Sequence, residues 1–247
     1  MALEAGTRLG DYEILSPICA GGMGEVYKAR DVRLDRIVAI KVLPAHLSEN
    51  GQLRQRFEQE ARAVSSLNHP NICTLHDIGR AAGIDFMVME YIEGETLAER
   101  IARGPIPLEE AIEIGLRVAD ALDKAHRNEI VHRDVKPGNI ILTKSGPKLL
   151  DFGLAKRRVT RSSESDSAAV TEQKPLTEHG AMLGTVQYMA PEQVEALETD
   201  ARTDIFAFGA LLYELLTGRK AFEGKSQASL RAPSCLRSHG RSQSFVR

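Results

Sequence analysis

The first 91 residues alternate short apolar runs with turns, in the manner of strands. Residues 12–42 predict three strands with turns: residues 12–15 lead into 18–27, which contain closely spaced glycines, and residues 36–43 are a β-branched run. Residues 72–75 and 86–89 predict two more strands. Between these groups, residues 48–67 repeat apolar side chains at helical spacing, which predicts one amphipathic helix. The pattern therefore indicates a small β-rich unit that carries one helix.

After residue 91 the apolar period becomes helical. Residues 96–103 and 108–128 predict two helices, and residues 204–216 are apolar nearly all round, which predicts a buried helix closed by Gly218. Gly94, between the last predicted strand and the predicted helix at residues 96–103, suggests a hinge into a second lobe. The buried side of the 108–128 helix is predicted to carry Ile112, Leu116, Ala119, Leu122 and Ala125.

Composition and charge exclude several classes of protein. The chain has 247 residues, of which 43% are hydrophobic and 27% charged, as in soluble globular proteins, and a net charge of -2 gives no reason to expect nucleic acid or an anionic membrane as partner. Three widely spaced cysteines form neither a disulfide framework nor a zinc spacing, which favours a reducing compartment. No apolar run approaches 18 residues, so we expect no membrane segment and a cytoplasmic location.

Candidate chemistry is concentrated in about twenty residues. Residues 132–139 read His-Arg-Asp-Val-Lys-Pro-Gly-Asn, and Asp-Phe-Gly follows from residue 151. The stretch holds a candidate base in Asp134, a candidate phosphate-binding lysine in Lys136, and oxygen ligands for magnesium in Asn139 and Asp151.

Two upstream features fit a nucleotide. Three glycines (Gly21, Gly22 and Gly24) between strands let backbone N–H groups approach a phosphate, although such a hairpin is also an ordinary turn. Glu60 lies on the inward stripe of the 48–67 helix and needs a cationic partner, for which Lys41 is the natural candidate.

Together these motifs resemble the protein kinases, in particular the bacterial-type (Hanks-type) serine/threonine branch. Five motifs stand in kinase order over residues 9 to 224: the Gly-rich loop, Val-Ala-Ile-Lys41, His-Arg-Asp134 with Asn139, Asp151-Phe-Gly, and Ala-Pro-Glu192. The resemblance implies an α+β, two-lobed fold, with an N-lobe over residues 9–91 built on a five-stranded sheet and a mainly helical C-lobe over residues 92–224.

The resemblance also implies a mechanism that uses ATP and Mg²⁺. Lys41, positioned by Glu60, would hold the α- and β-phosphates, while Asp151 and Asn139 would bind the metal. Asp134 would accept the proton of a substrate Ser or Thr hydroxyl. Lys136 would contact the γ-phosphate and argues against tyrosine specificity.

By the same resemblance, a set of residues binds the nucleotide. Glu90 and Ile92 would use backbone groups at the hinge, with Met89 at the back of the pocket. From the sequence alone, each apolar residue of the set is equally well explained as an ordinary residue of the hydrophobic core. The remaining members are Ile18, Cys19, Ala20, Gly21, Gly22, Met23, Gly24, Val26, Ala39 and Ile141. His132 and Phe152 are interpreted as packing residues that form a spine with Val64 and Leu75; a catalytic histidine is the alternative.

Arg133, next to Asp134, predicts a control mechanism, because an arginine that faces the activation segment (the residues from Asp151 to Glu192) needs an anion. The hydroxyl-rich residues 160–177 could supply a phosphorylated residue, with Thr177 the first candidate and Thr171 the second; a plain flexible loop is the alternative. A homodimer for phosphorylation between copies is a further expectation.

Two positions depart from the family pattern. Cys19 stands where the family has its first glycine, which predicts weaker ATP binding. Residues 225–247 are Ser- and Arg-rich without an apolar stripe, so we expect a disordered tail where the family has its last C-lobe helices.

That departure has consequences for stability and activity. Without those helices, Glu192 would lack its arginine partner, and part of the apolar surface of the 204–216 helix would be exposed to solvent. We therefore expect the isolated chain to be poorly soluble, partly unfolded or dependent on a partner. Two functions therefore stay open: an active kinase, or a nucleotide-binding and interaction module without activity.

Overall fold

A computed structural model describes residues 3–21, 24–43, 51–152, 186–195 and 197–222, and at residues 20, 21, 24, 51–54, 56, 57 and 60 it describes the backbone alone. The first part of the chain forms an antiparallel sheet of six strands in the order β1-β2-β3-β4-β6-β5. The strands are β1 (Arg8–Leu9), β2 (Tyr12–Gly21), β3 (Gly24–Asp31), β4 (Arg36–Val42), β5 (Leu75–Ala81) and β6 (Ile84–Glu90).

The alternation of side chains along these strands gives the sheet two different faces. One face closes over an apolar cluster of its own, made of Leu9, Ile14, Tyr27, Ala29, Val38, Ile40, Phe86 and Val88. The other face carries Ala39 and Lys41 of β4 beside Met89 and Met87 of β6. This second face is turned toward the rest of the molecule, because Met87 and Met89 pack with the larger core.

The predicted helix between the sheet strands is present as α1 (Gly51–Ser65). Ala61 and Val64 are buried on its inward side and pack in the larger core with Leu75 at the start of β5. Tertiary packing of this face stabilises the helix more than sequence propensity does.

The second part of the chain is mainly helical, as predicted. It contains α2 (Leu97–Ala102), α3 (Leu108–His126), α4 (Pro191–Val194) and α5 (Ala201–Thr217), with a small sheet of β7 (Glu95–Thr96), β8 (Ile140–Thr143) and β9 (Gly146–Leu149). Thr96 and Glu99 form a capping box at α2, and Asp200 caps α5. Gly218 ends α5 with φ of 67°, as predicted for a glycine C-cap.

Two expectations about strands need correction. The strand predicted at residues 72–75 is wrong: Ile72 makes only an isolated bridge to Leu149, and the strand begins at Leu75. The sheet has six strands where five were expected, because the two residues of β1 pair with β2.

Gly94 is needed for close packing, since a side chain there would collide with the Leu142 carbonyl and lie 2.7 Å from Cγ2 of Ile141.

The buried side predicted for α3 is also wrong in part. Leu122 and Ala125 are buried, but Ile112 and Leu116 are exposed. The buried side is Ala111, Ile114, Gly115, Val118, Ala121, Leu122 and Ala125. Gly115 decides this orientation, because an added Cβ there would lie 2.7 Å from Cδ2 of Leu212 in α5.

The helix α5 is buried on one side rather than all round. Ala207, Leu211 and Leu215 face the core, whereas Ile205 is 60% exposed and Leu216 is 52% exposed. No helix in the described residues combines the length and apolar character needed to span a bilayer.

Candidate active site

The inward face of the sheet brings together several residues predicted to hold a nucleotide. Cys19 of β2 lies opposite Val26 of β3, and Val26 lies opposite Lys41 of β4. Ala39, two residues before Lys41, pairs with Met89 of β6. Since residues paired across antiparallel strands share a face, these five side chains form one surface.

Lys41 reaches from this face to the second lobe. Its Nζ lies 2.8 Å from Oδ2 of Asp151, and the Lys41 side chain is only 12% exposed. Asp151 has a positive φ of 48°, which is unfavourable for a residue with a side chain and is found mainly where the surroundings impose it. A cation and a carboxylate therefore meet between the lobes at the place predicted for a metal-bound triphosphate.

The loop of residues 132–139, which is the predicted catalytic loop, gathers its polar side chains around Asp134. Lys136 Nζ lies 3.0 Å from Asp134 Oδ2. Asn139 Nδ2 donates both to the Asp134 carbonyl, at 2.8 Å, and to Asp134 Oδ2, at 2.9 Å. These two contacts use the amide nitrogen of Asn139 rather than its side-chain oxygen.

His132 has both ring nitrogens engaged. Nδ1 accepts from the Asp134 N–H at 3.2 Å, and Nε2 donates to the Leu150 carbonyl at 2.7 Å. Burial lowers the pKa of the His132 imidazole, which keeps it neutral, as this pair of hydrogen bonds requires. A ring committed in this way is structural.

The same ring joins the two predicted motifs. Phe152 packs on His132 with ring centroids 4.6 Å apart, and the Leu150 N–H donates to the Asn139 carbonyl at 2.8 Å. Val64, Leu75 and Phe152 are buried in one core cluster. The segment that carries Asp151 is thus fixed to the loop that carries Asp134.

The backbone of the loop is held by Asp204, a residue that the motif analysis missed. Asp204 is fully buried at the start of α5 and accepts hydrogen bonds from His132 N, at 2.8 Å, and Arg133 N, at 2.7 Å. His126 at the end of α3 also contacts it, with Nε2 2.7 Å from Oδ2. A carboxylate inside an apolar helical run was the available signal, because a buried charge requires partners.

The connection between the lobes carries polar contacts that sequence reasoning also missed. Lys148 Nζ lies 2.8 Å from Glu90 Oε2, and Lys28 Nζ lies 4.5 Å above the ring of Tyr91. Ile92 follows in the same connection, and Ile141 lies in β8. The Glu90 side chain is therefore engaged in an ion pair.

Partial burial and the Asp151 carboxylate raise the pKa of the Cys19 thiol, while Lys41 lowers it. Asp151 and Lys41 thus lie close enough to Cys19 to act on its charge. Cys19, which stands where the family has its first glycine, is therefore located near the Lys41–Asp151 pair.

Several predicted positions lie outside the described residues. They are Gly22, Met23, Gly153, Thr171, Thr177 and the tail from 225 to 247. For Ala20, Gly21, Gly24 and Glu60 only the backbone is described, with Glu60 in α1. Ile18 is an exposed residue of β2.

Glu192, for which the sequence predicts the loss of a charged partner, has a neutral one. Its carboxylate accepts a hydrogen bond from Thr203 Oγ1 at 2.6 Å and is partly exposed. The penalty of a buried unpaired charge therefore does not apply to this residue.

Comparison with known proteins agrees with this geometry. The model of the protein kinase domain matches residues 12–239. Serine/threonine-protein kinase PrkC of Bacillus subtilis (strain 168) is 41% identical over 223 residues, which are 90% of this chain and 32% of PrkC. Serine/threonine-protein kinase PknB of Mycobacterium leprae (strain TN) is 40% identical over 225 residues, 89% of this chain and 34% of PknB.

Solved structures give the same result. The crystal structure of the M. tuberculosis PknI kinase domain superposes with a TM-score of 0.71 at 28% identity, covering 90% of this chain and 78% of that one. The two-lobed α+β fold predicted from the sequence is confirmed.

The chain belongs to the protein kinase family. Its relatives within that family are bacterial serine/threonine-protein kinases such as PrkC and PknB, and the chain spans about a third of their length.

Proposed function

We propose that this chain transfers the γ-phosphate of ATP to serine and threonine hydroxyls of protein substrates. The observation that carries the proposal is the 2.8 Å contact between Lys41 of the small lobe and Asp151 of the large one, next to the Asp134 cluster. It is supported by about 40% identity to serine/threonine-protein kinases over nine tenths of the chain.

The donor set suits magnesium. Among the described residues there is no cluster of three His, Cys, Asp or Glu side chains, but Mg²⁺ is usually held by one or two carboxylates together with substrate phosphates. Asp151 and the side-chain oxygen of Asn139 would provide the protein ligands. The metal, when bound, neutralises phosphate charge.

The other residues take complementary roles. The ion pair between Lys41 and Asp151 would loosen when ATP binds, and Lys41 would then contact phosphate oxygens. Glu60 of α1 would hold Lys41 in position. Val26, Ala39, Met89 and Ile141 would enclose the adenine, and backbone groups of Glu90 and Ile92 would bind its edge. The loop residues Ile18, Cys19, Ala20, Gly21, Gly22, Met23 and Gly24 would cover the phosphates.

Asp134 and Lys136 would carry out the transfer. The substrate hydroxyl oxygen forms a bond to the γ-phosphorus as the bond from that phosphorus to the β–γ bridging oxygen breaks, and ADP leaves. Asp134 orients the hydroxyl and accepts its proton, while Lys136 stabilises charge on the transferred group. The 3.0 Å contact between the two side chains supports this pairing.

Regulation would act through Arg133. Its Nε donates to Thr199 Oγ1 at 3.1 Å, which places the guanidinium beside the chain that follows the activation segment. We propose phosphorylation at Thr177 or Thr171, by a second copy of the chain in a homodimer and in the cytoplasm. Mass spectrometry after incubation with ATP tests this, and finding no phosphate in residues 160–180 would contradict it.

The domain limits are also proposed: an N-lobe over 9–91, a partial C-lobe over 92–224 and a separate tail over 225–247. Limited proteolysis that leaves a stable fragment ending near residue 224 would support them. Cleavage within the helices of the C-lobe before the tail is removed would argue otherwise.

The transfer itself is tested with labelled ATP, Mg²⁺ and a generic basic protein. The wild-type chain should label the protein, and Asp134→Asn should lower the rate at least about 1,000-fold while ATP binding persists, since removal of the base affects the chemical step. Equal labelling by both proteins would reject the assigned role. ATP binding without labelling by the wild type would favour the nucleotide-binding module.

A further inference from the structure

Arg133, directly before the proposed base Asp134, has a strained backbone. Its φ is +64°, in the left-handed region that residues with a side chain rarely adopt. Such a conformation persists only where neighbouring groups impose it. The contacts on the two sides of this residue therefore determine where Asp134 is placed.

One side of Arg133 is held by the core of the large lobe. The Arg133 N–H donates to Oδ1 of Asp204 at 2.7 Å, and the preceding N–H of His132 donates to Oδ2 at 2.8 Å. Asp204 is fully buried, so this anchor is rigid. It fixes the peptide plane that enters Arg133.

The other side is held by Gln193. Its side-chain Nε2 donates to the Arg133 carbonyl at 2.8 Å, in the peptide that joins Arg133 to Asp134. That same peptide provides the Asp134 N–H, which donates to His132 Nδ1 at 3.2 Å. With both flanking peptides held, the rotation of Arg133 and the direction of Asp134 are fixed.

Gln193 is itself held in place by its own helix. It lies in α4, and its Oε1 accepts the Ala190 N–H at 3.1 Å. The amide orientation follows from these partners, because the Arg133 carbonyl only accepts and the Ala190 N–H only donates. Gln193 thus connects the end of the segment after Asp151 to the catalytic loop across 60 residues of sequence.

We propose that Gln193 is a positioning residue for the transfer reaction, acting through the Arg133 carbonyl on Asp134. The expected effect on the rate of phosphoryl transfer rests on the proposed function, whereas the expected effect on the structure of the loop does not. The helix that follows the activation segment thereby contributes to the geometry of the base, and displacement of that helix would misplace Asp134.

The test uses the full chain with Gln193→Glu and Gln193→Leu. The Glu variant keeps the shape and an acceptor for Ala190, but its carboxylate cannot donate to the Arg133 carbonyl at neutral pH. The matched control is Gln55→Glu, the same change at an exposed glutamine of α1. Thermal unfolding of each variant shows that it is folded.

The first readout is deuterium exchange of the amides of residues 131–135 without nucleotide. Both Gln193 variants should exchange faster there than wild type, with unchanged exchange in β4, because the loop opens locally. The control should match wild type. Unchanged exchange at residues 131–135 in both variants would overturn the inference, whatever their activity.

The second readout is the rate of phosphoryl transfer. Misplacement of the base should lower kcat by about 10- to 100-fold, with KM for ATP within about twofold of wild type, because ATP contacts lie elsewhere. A kcat equal to that of wild type would also overturn the inference. If the wild-type chain transfers no phosphate, the proposed function fails, and the exchange result alone decides the role of Gln193.

Discussion

Cys19 is the residue at which this chain departs from the family inside the proposed nucleotide site. It lies opposite Val26 in the β2–β3 hairpin, and the pKa of its thiol is raised by burial and by Asp151 and lowered by Lys41. A Cβ and sulfur at this position restrict the backbone, and we expect them to occupy space above the sugar of a bound nucleotide. We therefore expect this residue to weaken nucleotide binding without taking a direct part in the transfer.

The variant Cys19→Gly should bind ATP several-fold more tightly, because it removes that side chain. Titration calorimetry measures the change, and Cys19→Ala separates its causes. If the Cβ is responsible, Ala resembles Cys; if the sulfur is, Ala resembles Gly. Unchanged or weaker binding by the Gly variant would contradict the interpretation.

At the residue scale, the sequence motifs predicted which groups converge, since Lys41, Asp134, Asn139 and Asp151 do meet in one region. They could not predict Gln193 as a contact of the catalytic loop. Its partner lies 60 residues away, and a glutamine in a short helix resembles any solvated surface residue. Only the fold shows that its amide points inward.

At the scale of elements, periodicity located the helices and most strands but not their orientation. The helix α3 has two apolar stripes, one with Ile112 and Leu116 and one with Ile114 and Val118. Both fit helical spacing, so the pattern alone leaves the choice open. The approach of Leu212 to Gly115 makes the choice, and this contact between distant parts of the chain is not encoded in local periodicity.

The close approach of Gly94 to β8 gives a prediction at this scale. Gly94→Ala should lower the free energy of unfolding by about 1–3 kcal/mol, because the new methyl group collides with the Leu142 carbonyl and Ile141. Chemical denaturation measures the change. The control is Gly209→Ala in α5, where nothing lies within 4 Å of the added Cβ, so helix propensity should raise stability by up to about 1 kcal/mol. Equal effects of the two changes would contradict the packing described.

At the scale of the whole molecule, one apolar core joins the lobes. It extends from Val64 and Met87 through Phe152 to Leu211 of α5. Outside this core, α3 exposes an apolar stripe of Leu108, Ile112 and Leu116, the last of which is 67% exposed. The outer side of α5 is apolar as well, with Ile205 60% exposed. Apolar surface of this kind favours association.

The purified chain should therefore self-associate, and the double variant Ile112→Gln with Leu116→Gln should reduce this without lowering the melting temperature. Light scattering and thermal unfolding measure the two effects. The matched change Ile114→Gln, on the buried side of α3, should instead destabilise the fold, because it buries an amide. A wild-type chain that stays monomeric at high concentration and melts cooperatively would contradict this prediction.

The central claim is that Lys41 and Asp151 together bind a metal-bound triphosphate. The most direct test compares the affinity for ATP in the presence of Mg²⁺ with the affinity in the presence of EDTA. Wild type should bind more tightly with Mg²⁺, Asp151→Asn should lose this dependence, and Lys41→Met should weaken binding about 10- to 100-fold through the loss of charge-assisted hydrogen bonds. Lys144→Met, at an exposed turn, serves as the control. Binding of ATP that is indifferent to the metal and to Lys41 would contradict the account.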